Sequence, residues 1–260
     1  MQRDLASFQA LMDIVKVLRA PGGCPWDREQ THASLKRNLL EECYEVLEAI
    51  DQGQGRKLSE ELGDVLVQVA FHAQMAGESG AFKIDDVITS ASEKLIRRHP
   101  HVFGDAVAGD AREVERNWDL LKQQEGVRKS PADGIPGELP ALAYAQLLQD
   151  RVSRTGFDWE DVSGVLDKVV EEVDELRAAT RHKEKAEEFG DLLFSLVNLA
   201  RWLGIQAEDA LRQASARFRA RYATMERLAS ERGQDFPRLP LQGKEALWQE
   251  AKRLSPGEGV

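Results

Sequence analysis

The chain is poor in cysteine: its 260 residues hold only Cys24 and Cys43. Two thiols make neither a disulfide framework nor a zinc site, and they suit a reducing compartment. No stretch reaches the roughly 18 consecutive apolar residues that a membrane span needs. The N-terminal segment is charged throughout and has no uninterrupted apolar run, so no signal peptide is read and a cytoplasmic location is expected. The P-loop pattern is absent, as is the Nudix pattern. No Ser, Cys or His stands in a nucleophile context, which argues against a covalent intermediate. The net charge of −10 argues against general nucleic-acid binding, although a few placed Lys or Arg can still hold one triphosphate.

What is present is helix. Over residues 35–50, Leu35, Leu39, Leu40, Cys43, Val46, Leu47 and Ile50 recur at three- and four-residue spacing. Residues 58–75, 165–179 and 186–203 repeat the pattern, and no convincing period-2 series occurs, so the class is all-α. Gly126, Pro131, Gly134, Pro136 and Gly137 disfavour regular structure and mark a linker. Residues 21–27 read as an ordered loop between helices, and 255–260 as a frayed end. The predicted organisation is two tandem, duplicated helical bundles: 1–125, a linker at 126–140, and 141–260.

The duplication rests on acids. The first copy reads Glu41-Glu42-x-x-Glu45 and then Glu61-x-x-Asp64; the second reads Glu171-Glu172-x-x-Glu175 and then Glu188-x-x-Asp191. Residues three or four apart share a helix face, so Glu172 with Glu175 and Glu188 with Asp191 project together. Two antiparallel helices bring such pairs face to face, and clustered carboxylates repel one another unless a cation neutralises them. Hard oxygen donors suit Mg²⁺, which keeps waters and takes phosphate oxygens. An isolated E-E-x-x-E is more often a solvated helix face. Here each acid pair runs into apolar residues at core spacing, such as Leu192, Leu193, Leu196 and Val197, and the arrangement recurs. A di-iron bundle needs Glu-x-x-His pairs, and no Glu of either cluster has a His three residues later.

Phosphate-holding cations are available at helical spacing. Lys94 with Arg98 and Arg217 with Arg221 are i,i+4 pairs; Lys122 and Lys252 follow Trp118 and Trp248 by four residues. Trp248 either stacks on a base or packs in the core. Asn198 lies on roughly the face of Asp191 and either binds a sugar or base or caps a turn. His99 and His101 touch phosphate or order a loop. Phe218 and Tyr222 read as core.

At this point the residues resemble the MazG-type nucleoside triphosphate pyrophosphohydrolases of the all-α NTP pyrophosphatase group. The double E-E-x-x-E…E-x-x-D pattern carries the resemblance. It is joined by Gly22-Gly23-Cys24-Pro25-Trp26-Asp27, by the run from Lys94 to Gly104, and by Gly156-Phe157-Asp158-Trp159. The resemblance implies Mg²⁺-dependent hydrolysis of nucleoside triphosphates, with Mn²⁺ as a possible substitute, to monophosphate and pyrophosphate. It also implies broad base tolerance, a role in clearing the nucleotide pool, and a homodimer. By motif position, Glu172, Glu175, Glu188 and Asp191 would hold metal in the second copy, with Glu42, Glu45, Glu61 and Asp64 their counterparts in the first. Arg217, Arg221 and Lys252 would hold phosphates, Trp248 would lie near the nucleotide, and the second copy would be the catalytic one. One departure stands out: the family often has N-x-K-F, and this chain has Ser215 and Arg217 there.

The mechanism expected is water attack at phosphorus of the α–β anhydride, with Glu171 or Glu175 orienting or deprotonating the water. The alternatives are a nucleotide-binding regulator without turnover and a helical scaffold whose acids are merely solvated.

Overall fold

The computed structural model describes residues 5–106, 109, 110, 114, 118, 121 and 130–254. The chain divides into two compact units, Met1–Val114 and Glu115–Val260. Among the described residues every regular element is helical.

The first unit contains α1 (Phe8–Arg19), α2 (Pro25–Glu29), α3 (Lys36–Asp51), α4 (Gly55–Glu78), α5 (Ile84–Arg98) and α6 (Pro100–Phe103). Ser7 caps α1 by accepting from the Ala10 N–H at 3.2 Å, a contact of about 1 kcal/mol. α3 and α4 pack as a hairpin joined by Gln52, Gly53 and Gln54, and Gly53 takes φ +63, a region open to glycine. α1 lies against α4, where Met12 and Val15 meet Ala70, Phe71, Ala73 and Met75 in a buried core. Arg19 closes this packing with a forked pair to Glu78 at 2.8–3.1 Å and a bond to the Asp27 carbonyl. The segment 21–27 is not loop throughout: α2 begins at Pro25, because proline at the first helical position gives up an N–H that has no partner there.

The second unit contains α7 (Ala141–Ser153), α8 (Val162–Ala178), α9 (His182–Trp202), α10 (Ala207–Glu231), a 3₁₀ turn (Phe236–Arg238) and α11 (Leu241–Leu254). α8 starts at Asp161, which accepts from the Ser163 and Gly164 N–H groups and, in a very short bond, from the Ser163 hydroxyl. α9 starts at Arg181, whose N–H donates to Glu184 at 3.1 Å. Ala179, Thr180 and Arg181 join the two into a hairpin, the counterpart of α3–α4. α7 packs on α9 and α10, and Gln146 ties it there: it donates to the Ile205 carbonyl and accepts from the Ala207 N–H, both at 2.8 Å. The α10–α11 pair holds the second core: Met225, Leu228, Ala229, Phe236, Leu247 and Ala251.

Two expectations about the core need correction. Of the apolar residues after Asp191, Val197 is buried, but Leu193 and Leu196 are exposed, at 40% and 42%. Phe218 and Tyr222 are exposed too, although Phe218 lies 5.3 Å from Trp248 and Tyr222 meets Phe236 edge-on at 5.4 Å. The hairpin helices bury one stripe in their own unit and leave a second apolar stripe uncovered. The linker residues 126–129, Lys122 and residues 255–260 lie outside the described set.

Candidate active site

The acid pattern does converge. In the second unit one carboxylate oxygen from each of Glu172, Glu188 and Asp191 lies within 4.8 Å of the others. α8 supplies Glu172 and α9 supplies the other two, so the hairpin builds the cluster across its seam. Glu172 is buried at 4% exposure, Glu188 is half-buried and Asp191 is exposed. One oxygen of Glu172, Oε2, is shut off from solvent and has no hydrogen-bond partner. Leaving such an acceptor unpaired costs roughly 1–3 kcal/mol. A buried, unpaired carboxylate oxygen among two other hard donors fits a divalent cation in size and chemistry. Glu175 stands outside this trio, exposed, and its side chain makes no ion pair or hydrogen bond among the described residues. Its charge is nonetheless felt: burial raises the Glu188 carboxyl above its ordinary value, and repulsion from Glu175, Asp191 and Glu172 adds to the rise.

A residue absent from the sequence reading completes the cluster. Lys168, one turn before the acids on α8, bridges Glu171 at 2.8 Å and Glu172 at 2.7 Å. These two hydrogen bonds, that to Glu171 first, hold its ammonium well above the usual lysine range. The signal was present in the sequence, since Lys168 sits three and four residues before the two acids, the spacing at which helix side chains meet.

Lys168, Glu172 and Asp191 line a cavity of about 670 Å³, a size suited to a nucleotide-sized ligand. Asn198 and Arg201 line it from α9, Gln149 from α7, and Phe157, Asp158 and Trp159 from the segment before α8. Gln149 is anchored by donation to the Phe194 carbonyl at 2.8 Å, and Asn198 accepts from Arg201 Nε at 3.0 Å. Asn198 shares this lining with Asp191. Arg217, Arg221, Trp248 and Lys252 are not in the cavity lining. Arg221 and Lys252 instead flank Trp248, 5.7 and 5.6 Å from its ring centre, a cation–aromatic group on α10 and α11. Arg217 is exposed.

The first unit repeats the trio with Glu42, Glu45 and Glu61, again within 4.8 Å, while Asp64 is exposed and outside it. Burial raises the Glu42 carboxyl, with repulsion from Asp64 and Glu45 adding to it and a hydrogen bond from Gln68 opposing. Burial also raises Glu61, helped by its hydrogen bond to Glu45 and opposed by Lys57. The surroundings differ. At the offset of 130 that relates Glu41 to Glu171, Asn38 stands where the second unit has Lys168. At the offset of 127 that relates Glu61 to Glu188, the buried Gln68 stands where the second unit has Ser195. Gln68 reaches back to Glu42, and its Oε1 is buried without a partner. Lys94 is exposed and Arg98 half-buried on α5.

Duplicated helical hairpins with carboxylates across each seam define a class: the all-α nucleotide pyrophosphohydrolases. Comparison with known proteins agrees. Residues 30–103 match the MazG nucleotide pyrophosphohydrolase domain, and residues 142–218 match the phosphoribosyl-ATP pyrophosphohydrolase domain. The chain is 49% identical over 246 residues to the nucleoside triphosphate pyrophosphohydrolase/pyrophosphatase MazG of Thermotoga maritima, covering 94% of this chain and 95% of that one. It is 45% identical over 252 residues to the nucleoside triphosphate pyrophosphohydrolase of Escherichia coli K12, covering 94% and 96%. It is 46% identical over 252 residues to Bacillus subtilis YabN, of which it spans 51%. The chain belongs to the MazG family of nucleoside triphosphate pyrophosphohydrolases.

Proposed function

We propose that this enzyme hydrolyses nucleoside triphosphates to nucleoside monophosphate and pyrophosphate in its second unit, with Mg²⁺ held by Glu172, Glu188 and Asp191. The observation that carries the reading is the buried, unpaired Glu172 oxygen in an acid trio that opens onto a nucleotide-sized cavity. Mg²⁺, or Mn²⁺ in its place, supplies charge neutralisation and Lewis acidity toward phosphate oxygens. Lys168 supplies a second positive charge at the same wall of the cavity, and a phosphate chain entering there takes it from Glu171 and Glu172. Glu175 is unpaired and exposed, so it is the carboxylate free to orient the attacking water and accept its proton. Glu171, paired to Lys168, is the residue released when the lysine turns to phosphate. Arg217, Arg221 and Lys252 lie off the cavity and serve as an outer cationic surface for the substrate, with Trp248 between two of them.

The first unit has the acids without the lysine. It is read as a divalent-cation site, at Glu42, Glu45 and Glu61 with Asp64 beside them, that does not turn over substrate. A homodimer is supported by the uncovered apolar stripe of the hairpins, where Leu166, Val170, Phe189, Leu193 and Leu196 face solvent in one copy. Among the described residues no helix is long and apolar enough to cross a membrane. A cytoplasmic enzyme that clears surplus or non-standard nucleotides, with broad base tolerance, completes the reading.

The test is product analysis of NTP and dNTP panels in Mg²⁺ or EDTA. Monophosphate with equimolar pyrophosphate, in Mg²⁺ only, is the expected result. Diphosphate with orthophosphate would contradict α–β cleavage, and Mg²⁺-dependent binding without product would make the protein a sensor.

A further inference from the structure

The acids and Lys168 account for one part of the second unit's cavity; another part is aromatic, with Phe157, Trp159 and Phe194 in its lining. Phe157 is 80% exposed. The segment that carries it is held from two sides. Asp158, between the two aromatic residues, accepts from Arg201 Nη1 at 2.9 Å and Nη2 at 2.5 Å, from Trp202 Nε1 at 3.2 Å, and from the Trp159 N–H at 2.9 Å. The Trp159 ring lies on Gly164 of α8, where a Cβ would come within 2.7 Å of its Cε3 atom, so only glycine admits it. Gly156 opens the segment at φ +89, a backbone conformation that other residues rarely take.

A solvent-facing aromatic surface, fixed by a forked ion pair and set in the wall of a cavity that reaches an acid cluster, has the form of a stacking platform. We propose that Phe157 and Trp159 are the surface on which the nucleobase stacks, and that Asp158, locked to Arg201 and Trp202, is the positioning residue that holds that surface at the cavity. The inference rests on the reading that this cavity takes the nucleotide. Stacking asks for a π-face and not for a particular hydrogen-bond pattern, so it supplies a physical basis for broad base tolerance. Trp248 lies outside this cavity lining.

The experiment is calorimetric binding to the full chain, using the Mg²⁺ complexes of α,β-methylene-ATP and of inorganic tripolyphosphate, which has the phosphate chain without the base. Phe157→Ala is expected to weaken the nucleotide about tenfold, and Phe157→Tyr to restore it. Asp158→Asn is expected to weaken the nucleotide about threefold, the platform being displaced but present. Tripolyphosphate affinity should stay within twofold in all three variants, which general damage to the unit would not allow. Equal nucleotide affinity in Phe157→Ala and wild type overturns the proposal, as does an unchanged affinity accompanied by loss of the dimer, which would assign Phe157 to a subunit contact. Equal weakening of both ligands by Asp158→Asn overturns its positioning role. Wild-type protein that binds neither ligand overturns the platform and the site reading together. The expected pattern of affinities with no pyrophosphate released from ATP sinks only the hydrolase reading.

Discussion

The two units carry the same acids and treat them differently. In the second, Lys168 sits against Glu171 and Glu172, and the trio opens on a cavity. In the first, the matching positions hold Asn38 and Gln68, and Gln68 turns its amide onto Glu42. One cluster has a lysine ammonium paired to its acids; the other has a neutral amide on Glu42. On the proposed reading, the carboxylate motif would supply a place for a metal, and the residues around it would decide whether a substrate can join.

The comparison breaks most sharply at the buried acid. Glu172→Gln removes a charge at 4% exposure, and pyrophosphate release should fall about a hundredfold or more. Glu45→Gln, in the first trio, should change the rate less than threefold. Steady-state rates in saturating Mg²⁺ decide this, and comparable losses in both would make the two units catalytic partners.

Next in size is the lysine. Lys168→Met takes the cation from a buried acid, and the metal-free protein should lose about 1–2 kcal/mol; full loss of a buried partner costs more, but Lys168 is 35% exposed. Excess Mg²⁺ should recover most of that stability without restoring turnover. Asn38→Lys should not create activity in the first unit. Chemical denaturation with and without Mg²⁺ reads both.

Metal itself comes third. Mg²⁺ at a hundred times its dissociation constant should stabilise the wild type by about 2.7 kcal/mol per independent site. The gain should drop by about half in Glu188→Gln and by about half in Glu61→Gln if both trios bind. A gain that survives intact in Glu61→Gln would leave the first cluster without a metal.

The smallest effect concerns two latches. In the first unit Arg19 holds Glu78, and its hydrogen bond is the main cause of a carboxyl below the ordinary range; burial opposes it and Gln74 assists. In the second unit burial pushes Asp158 up, but bonds from Arg201, the Trp159 N–H and Trp202 outweigh it, and the net value is lowered. A lowered carboxyl contributes stability above its unfolded value, and that contribution is lost as pH falls through the folded value. Glu78→Gln and Asp158→Asn should thus cost stability at pH 7, and the deficit relative to wild type should begin to shrink as pH drops below about 4 and vanish only below the lowered folded values. A deficit that persists unchanged at low pH would mean the latches act through packing.

Much of this was legible in the sequence, for local reasons. The four long hairpin helices follow from apolar spacing, and acids one turn apart on consecutive helices pointed to four converging carboxylates in each unit; that Glu175 in the second and Asp64 in the first stand outside the trios was not legible. Lys168 obeys the same one-turn rule and was within reach. The Asp158–Arg201 latch was not, because 43 residues separate the partners and only the fold brings them together. The uncovered stripe misled for a related reason: Leu193, Leu196 and Phe218 have core spacing, but periodicity does not say whether the covering surface belongs to the same unit. α2 was hidden by Pro25, because a proline that would break a helix interior can also begin a helix.

The most direct test sets Glu61→Gln beside Glu188→Gln and wild type, measuring monophosphate and pyrophosphate from ATP in Mg²⁺ and in EDTA. The account predicts equimolar products from wild type and Glu61→Gln in Mg²⁺, and almost none from Glu188→Gln. Turnover retained in Glu188→Gln and lost in Glu61→Gln would place the chemistry in the first unit and contradict it.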